Sequence, residues 1–256
     1  MLFDTHMHTT FSTDSTMKIE DAIRKGQEQS IGIIITEHMD LGYPDSNAFQ
    51  FDVDEYLTTY SKFRRDDVLL GIEIGMRNDC LQDNRDLVRQ VEVDFVIGSI
   101  HVIDNIDIYH ESFYCSHTKQ YVYSRYFEAM LECMKCYDFI DSLGHIDYIA
   151  RYARFSDPEI YYDEFAEAID AVLKIVVEQE KALEINTRRI TDQKSIDLLM
   201  PIYKRFAELG GKLVTVGSDA HKPADIGRGL ADGMALAAAC GLKAVYFKER
   251  QAYYVK

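Results

Sequence analysis

Six of the eight histidines in this chain stand at the ends of short, β-like apolar runs distributed along its whole length. His6 and His8 close Asp4-Thr5-His6-Met7-His8, His38 closes Ile33-Ile34-Ile35-Thr36-Glu37-His38, and His101 closes Val96-Ile97-Gly98-Ser99-Ile100-His101. His145 follows Ile140-Asp141-Ser142-Leu143-Gly144, and His221 follows Val216-Gly217-Ser218-Asp219-Ala220. Histidines placed for packing alone have no reason to recur at one position relative to a strand. A single site gathered from many strand ends supplies that reason, and such a set of side chains suits a metal centre.

Read for hydrophobic period, seven short strands are expected, at Leu2–Thr5, Gly32–Thr36, Val68–Ile74, Asp94–Ser99, Phe139–Leu143, Ala182–Asn186 and Lys212–Gly217. Helical patterns fall between them at Ile19–Gln29, Val53–Phe63, Gln120–Cys136, Asp163–Lys181 and Gln193–Leu209. The fourth sets Phe165, Ile169, Val172 and Val176 on one stripe, as a helix packed on a sheet requires. This alternation implies an α/β fold with mostly parallel strands and right-handed crossovers.

An open sheet gathers its site at one switch point, whereas a barrel brings every C-terminal strand end round one mouth. Ligand-type residues after nearly every strand favour a (β/α)7 barrel, with residues 1–256 forming a single domain. Ala244–Phe247 and Ala252–Val255 read as a terminal hairpin outside that rule. Met39–Phe51 and Ile103–Lys119 are the longest irregular stretches and are expected to be lid or specificity loops. The second carries His110 and His117, for which a plain surface role is the competing reading.

Composition narrows the function classes. A formal charge of −15, with no basic stripe, disfavours nucleic acid as a partner. The longest uncharged apolar run, Gly233 to Leu242, is too short to span a bilayer. The N-terminus leads straight into the first histidine pair with no basic or apolar leader, so a cytoplasmic protein with no membrane partner is expected. Five cysteines, irregularly spaced, do not form a disulfide framework, and Cys133-Met134-Lys135-Cys136 reads as helix packing.

His6-x-His8 at a strand end puts two imidazoles on one side of an extended chain, a geometry that serves one ion. Glu73 sits between Ile72 and Ile74, where a buried acid needs a cationic partner. Asp14, in Phe11-Ser12-Thr13-Asp14-Ser15, reads equally as a ligand and as an N-cap of the helix from about Ile19. Imidazole with carboxylate and no thiolate suits Zn, Mn or Fe(II).

The ordered set His6-Met7-His8, Thr36-Glu37-His38, Gly71-Ile72-Glu73, Gly98-Ser99-Ile100-His101, Gly144-His145 and Gly217-Ser218-Asp219-Ala220-His221 resembles the motifs of the PHP (polymerase and histidinol phosphatase) superfamily. The resemblance runs from residue 1 to about 230 and implies a distorted (β/α)7 barrel with two or three divalent metal ions (Zn, Mn or Fe) at the C-terminal strand ends. It places His6, His8, Glu73 and Asp219 on one ion, with Glu73 bridging to a second held by His101 and His145. Asp14, His38 and His221 would hold a third. Asp4 and Glu37, beside these positions, are expected to accept from imidazole N–H groups.

Such a centre implies a phosphomonoesterase acting through a metal-bound hydroxide, with no side-chain nucleophile. Ala182-Leu183-Glu184-Ile185-Asn186-Thr187 and Asp225-Ile226-Gly227-Arg228-Gly229 are similar to histidinol phosphatases, so L-histidinol phosphate is the leading substrate expectation. A nucleotide phosphatase or nuclease, a protein tyrosine phosphatase of the same superfamily, and a metal-stabilised scaffold without turnover are the alternatives. Arg188, Arg189, Arg228, Arg154, Arg151, Asn186 and His117 are the substrate-contact candidates, with surface solvation the plain reading of any one arginine. The sequence leaves the oligomeric state open.

Overall fold

The computed structural model describes residues 1–255. Its strands are β1 (Phe3–Asp4), β2 (Gly32–Met39), β3 (Val68–Gly75), β4 (Phe95–Ser99), β5 (Val102–Ile103), β6 (Ile106–Asp107), β7 (Ser142–Leu143), β8 (Ala182–Asn186), β9 (Leu213–Gly217), β10 (Lys243–Lys248) and β11 (Gln251–Tyr254). Nine of them form one sheet in the order β1-β2-β3-β4-β7-β8-β9-β10-β11, and β5 pairs only with β6. Every pairing in the large sheet is parallel except β10 with β11. The first seven strands of that sheet are therefore spatial neighbours in chain order, each return being made through helix, as parallel pairing demands.

The strands are buried on both faces, every residue of β2 and β3 included, which is why they read as unbroken apolar runs. Alternation still sorts the two faces. Phe3, Ile34, Leu69, Phe95, Ile97, Ala182, Val245 and Phe247 pack into one inner cluster. Two or four residues further along the same faces come Thr36 and His38 on β2, Gly71 and Glu73 on β3, and Glu184 and Asn186 on β8. β2, β3 and β8 thus carry apolar side chains at their starts and polar ones at their ends on one and the same face. The outer face packs against the helices in a second, larger core.

The seam between β1 and β9 has its own hydrogen bonds. Thr5 N donates to Val216 O at 3.2 Å, Asp219 N to His6 O at 2.8 Å, and His8 N to Ala220 O at 2.8 Å. The buried Asp4 carboxylate accepts from Ser218 N, Ser218 Oγ and Gly227 N at 2.8, 2.5 and 2.8 Å. At Gly217 a Cβ would lie 2.4 Å from His6 Cβ, so this approach needs glycine. The same edge of β9 pairs with β10 lower down, through Leu213 and Val214. There Phe3 stacks on Tyr246 at 4.0 Å and Phe95 on Phe247 at 5.1 Å, so the terminal hairpin fills the end opposite the histidines.

The five helical patterns correspond to helices at Ile19–Gln29, Val53–Tyr60, Lys119–Met134, Tyr162–Glu178 and Gln193–Glu208. Three further helices, Leu81–Gln90, Tyr148–Tyr152 and Leu230–Ala239, were not expected. Leu81–Gln90 buries little beyond Asn84 and Val88, Tyr148–Tyr152 is too short to show a period, and Leu230–Ala239 is apolar nearly all round. No helix among the described residues is long and apolar enough to cross a membrane.

Candidate metal centre and active site

Glu73 lies at the middle of the polar strand ends, 1% exposed and facing five imidazoles. Its Oε2 is 3.3 Å from His6 Nε2, 3.5 Å from His8 Nε2 and 3.0 Å from His38 Nδ1. Its Oε1 is 2.9 Å from His145 Nε2 and 3.4 Å from His101 Nε2, and accepts from Ser99 Oγ at 2.7 Å. Asp219 completes one side, its Oδ1 3.4 Å from His8 Nε2 and 3.9 Å from His6 Nε2. Asp14 Oδ2 closes the other, 3.0 Å from His221 Nε2 and 3.7 Å from His38 Nε2. All nine residues singled out by sequence are brought together, and Asp14 takes no part in capping the first helix, whose N-cap is Lys18.

The donor atoms of His6, His8 and Glu73 lie within 4.8 Å of one another, as do those of Glu73, His101 and His145, and those of His8, His38 and His221. His6 Nε2 and His8 Nε2 approach to 3.1 Å. His38 Nδ1, His101 Nε2 and His145 Nδ1 are buried without a hydrogen-bond partner. Imidazole nitrogens converging on carboxylates in a dry pocket are mutually repulsive as cations and badly paired as neutral rings. Cations held between them resolve both problems, so the residues fit divalent ions.

The electrostatics of the polypeptide alone agree. Burial opposes charge on His6, yet Glu184, Glu73 and Asp219 together raise its pKa well above the ordinary value. His101 is raised in the same way against burial, by Asp40 and Glu73, and His38 is raised to about 10 by Glu73 and Asp14. His8 goes the other way, lowered by burial and by His38 and His221. Burial works against ionised Glu73, but His6, His101 and His38 hold it well below the carboxylate range. Asp219 is held down by Arg151 and His6 in the same fashion. Protons occupy places that suit cations, and metal binding at such a cluster releases them.

The far ring nitrogens are anchored. Glu184 Oε1 lies 2.6 Å from His6 Nδ1, and its Oε2 accepts from His145 N at 2.7 Å. Asp40 Oδ2 lies 2.9 Å from His101 Nδ1, and Ser12 Oγ lies 3.1 Å from His8 Nδ1 while donating to Glu37. Two expectations are corrected here. Asp4 touches no imidazole, because the β1–β9 seam uses its carboxylate. Glu37 reaches His8 only through Ser12, and otherwise accepts from Thr9. Asp40 and Glu184, which do the anchoring, gave no sequence signal beyond being acids on or just after strands.

Arginines divide sharply. Arg151 donates to Asp219 Oδ2 at 2.6 Å and to Asn186 Oδ1 at 3.1 Å, lies over the Tyr148 ring at 5.1 Å, and keeps a buried, unpartnered Nε. Arg188 Nη1 sits 3.5 Å from Asp219 Oδ1 and 3.2 Å from His221 Nδ1. Both border the cluster, as Asn186 does by its bond to Arg151. Arg189 instead pairs with Asp147 and Glu159 at 3.1 and 2.6 Å, turned into the protein. Arg228 faces Asp225, Arg154 bonds to Tyr152 O, and His117 stacks on Tyr121, all three exposed and outside the residues bordering the cluster. Arg154 and Arg228 follow strand ends in sequence but point away from the cluster, and His117 sits in the 103–119 loop, where no strand end fixes it.

A cavity of about 400 Å³ opens beside the cluster, with Asp14, His38 and His101 at its floor. Tyr43 and Phe49 from the 39–51 loop, Asp107 and His110 from the 103–119 loop, and Tyr148 and Tyr152 form its walls. His110, not His117, is the loop histidine that reaches it.

Residues 4–188 match the family described as the PHP domain. The probable histidinol-phosphatase of Clostridium acetobutylicum is 48% identical over 254 residues, covering 99% of this chain and 100% of that one. The histidinol-phosphatase of Lactococcus lactis subsp. lactis is 31% identical over 228 residues, covering 85% and 83%. The crystal structure of histidinol phosphate phosphatase from the same bacterium, complexed with zinc, L-histidinol and phosphate, superposes with a TM-score of 0.93 at 28% identity, covering 98% of both chains. With nearly three quarters of its length matched and a close relative spanning the whole of it, the chain belongs to the PHP domain family.

Proposed function

We propose that this protein is a metal-dependent phosphomonoesterase that hydrolyses L-histidinol phosphate to L-histidinol and phosphate. The observation that carries the reading is the convergence of His6, His8, Glu73, His101, His145 and Asp219 beside a cavity walled by aromatic and acidic side chains. Relatives named for that activity, one of them with zinc, L-histidinol and phosphate bound, support it. The β1–β9 hydrogen bonds support a sheet closed as a distorted (β/α)7 barrel, with residues 1–256 as one PHP unit.

His6, His8, Glu73 and Asp219 would hold one divalent ion, Glu73, His101 and His145 a second, and Asp14, His38 and His221 a third. When bound, Zn, Mn or Fe(II) lowers the pKa of water and polarises a phosphoryl oxygen, so no side-chain nucleophile is required. Glu184 and Asp40 fix the tautomers of His6 and His101, leaving each Nε2 turned toward Glu73. Arg151 and Arg188 present guanidinium N–H groups at the Asp219 side, where they can grip the transferring group's non-bridging oxygens. Tyr148 and Tyr152 offer ring faces to a cationic or planar leaving alcohol, and Asp107 offers it a carboxylate.

Phosphate release by protein loaded with Zn, Mn or Fe(II) tests this, with L-histidinol phosphate set against a nucleoside monophosphate, phosphotyrosine and an aryl phosphate. Strong preference for L-histidinol phosphate, abolished in His101→Ala, is the expected result. Better turnover of another ester would move the substrate and keep the chemistry. Metal-dependent stability with no turnover of any ester would leave a scaffold.

A further inference from the structure

Outside the site, one side chain ties both long loops to the sheet. Arg77 follows β3, two residues beyond its end, and its backbone is clamped by buried Tyr137, whose OH accepts from Arg77 N at 3.0 Å and donates to Arg77 O at 2.6 Å. The Arg77 side chain is 14% exposed. Nε and Nη2 grip the Asp79 carboxylate at 2.9 and 2.6 Å, which fixes the plane of the fork. Nη1 then donates in two directions, to Gly42 O at 2.5 Å and to Asn105 Oδ1 at 3.3 Å.

Gly42 belongs to the 39–51 loop, and its φ of +71° and contact with Cys80 leave no room for a side chain. Asn105 belongs to the two-residue turn joining β5 and β6, where it and Asp104 both have positive φ. Tyr43, next to Gly42, donates its OH to Asp107, two residues beyond Asn105. That bond is where the two loops meet in the cavity wall. The fork therefore sets the register of the loops one step behind the contact that shapes the pocket.

We infer that Arg77 is a positioning residue for the leaving-group end of the pocket, acting through the Tyr43–Asp107 contact without touching substrate. This rests on the functional reading above, and it predicts a split between the two products. Phosphate belongs with Arg151, Arg188 and the ligand cluster, none of which Arg77 contacts. The alcohol belongs in the cavity whose wall it sets.

Metal-loaded wild type, Arg77→Lys and Arg77→Met are compared for kcat and KM, and for inhibition by L-histidinol and by inorganic phosphate separately. In Arg77→Met, KM and the L-histidinol inhibition constant rise by about tenfold, while phosphate inhibition stays within about twofold of wild type. Lysine recovers little, because an ammonium's three donors sit on one atom and lack the planar fork that grips Asp79 with two nitrogens while a third reaches Gly42 and Asn105. Tyr43→Phe combined with Arg77→Met gives less than the product of the single effects. Unchanged L-histidinol inhibition, or a parallel loss for phosphate, overturns the inference. If Arg77→Met does not fold, Asn105→Ala and Asp79→Asn are read for the same split. Wild-type turnover of L-histidinol phosphate tests the functional reading by itself; should another ester be preferred, its alcohol replaces L-histidinol in the comparison.

Discussion

Glu73 concentrates the chemistry in one carboxylate, since both of its oxygens face imidazoles and, among the described residues, no other carboxylate reaches so many members of the cluster. Glu73→Gln keeps the shape and removes the charge. We expect kcat/KM for phosphate release to fall by more than about 100-fold, because losing a group that merely orients a ligand costs 10- to 100-fold. Metal content per chain should fall with it, and elemental analysis after gel filtration checks that independently of turnover. Arg151 is the complementary test. Arg151→Met should lower kcat/KM by about 100- to 1,000-fold and weaken inorganic phosphate inhibition, with Arg151→Lys recovering only part. Equal phosphate inhibition in wild type and Arg151→Met would remove it from the phosphate site.

At the scale of elements, the strand ends explain what could be read in advance. His38 and Glu73 lie at the polar ends of strands whose apolar runs are visible in sequence, and they pair directly across β2 and β3. The partners of the far imidazole nitrogens were invisible, because Asp40 and Glu184 lie far in sequence from His101 and His6 and meet them only in the folded chain. The same holds for Tyr43, Asp107, Tyr148 and Tyr152, which reach the cavity on loops or on a five-residue helix. Helices answer to a different physics. Arg205 on Gln193–Glu208 grips Asp170 on Tyr162–Glu178 at 2.8 to 3.0 Å, and these bonds hold the Asp170 carboxylate below its ordinary range. A depressed folded pKa stabilises above the unfolded value of 3.8 and ceases to do so as pH falls through the folded one. Asp170→Asn should therefore cost about 1 kcal/mol at pH 7 in urea unfolding, and progressively less below about pH 4. A difference that persists undiminished at the lowest accessible pH would point to packing instead.

Across the whole molecule, one end of the sheet is apolar and filled, and the other is polar and carries the site. Phe247 enters from the terminal hairpin and stacks on Phe95, far along the strands from Glu73. Phe247→Ala should lower stability by about 3 kcal/mol while the folded fraction keeps its kcat, as thermal unfolding and initial rates will report. The hairpin was legible as strands but not as a plug, since nothing local to residues 244–255 says which end of a sheet it enters.

The seam has the longest reach of any feature. His6 and His8 lie within the first ten residues, while Asp219, His221 and the Gly227 amide that Asp4 binds lie beyond residue 215. His6 and His8 can meet Glu73 early in synthesis, but Asp219 and His221 join them only after more than 200 residues beyond His8 have been made. A fragment ending at residue 188 therefore spans the stretch matched to the family but lacks Asp219 and His221 of the cluster. The full cluster thus forms only in a chain whose residues near 6 and near 220 are already held together.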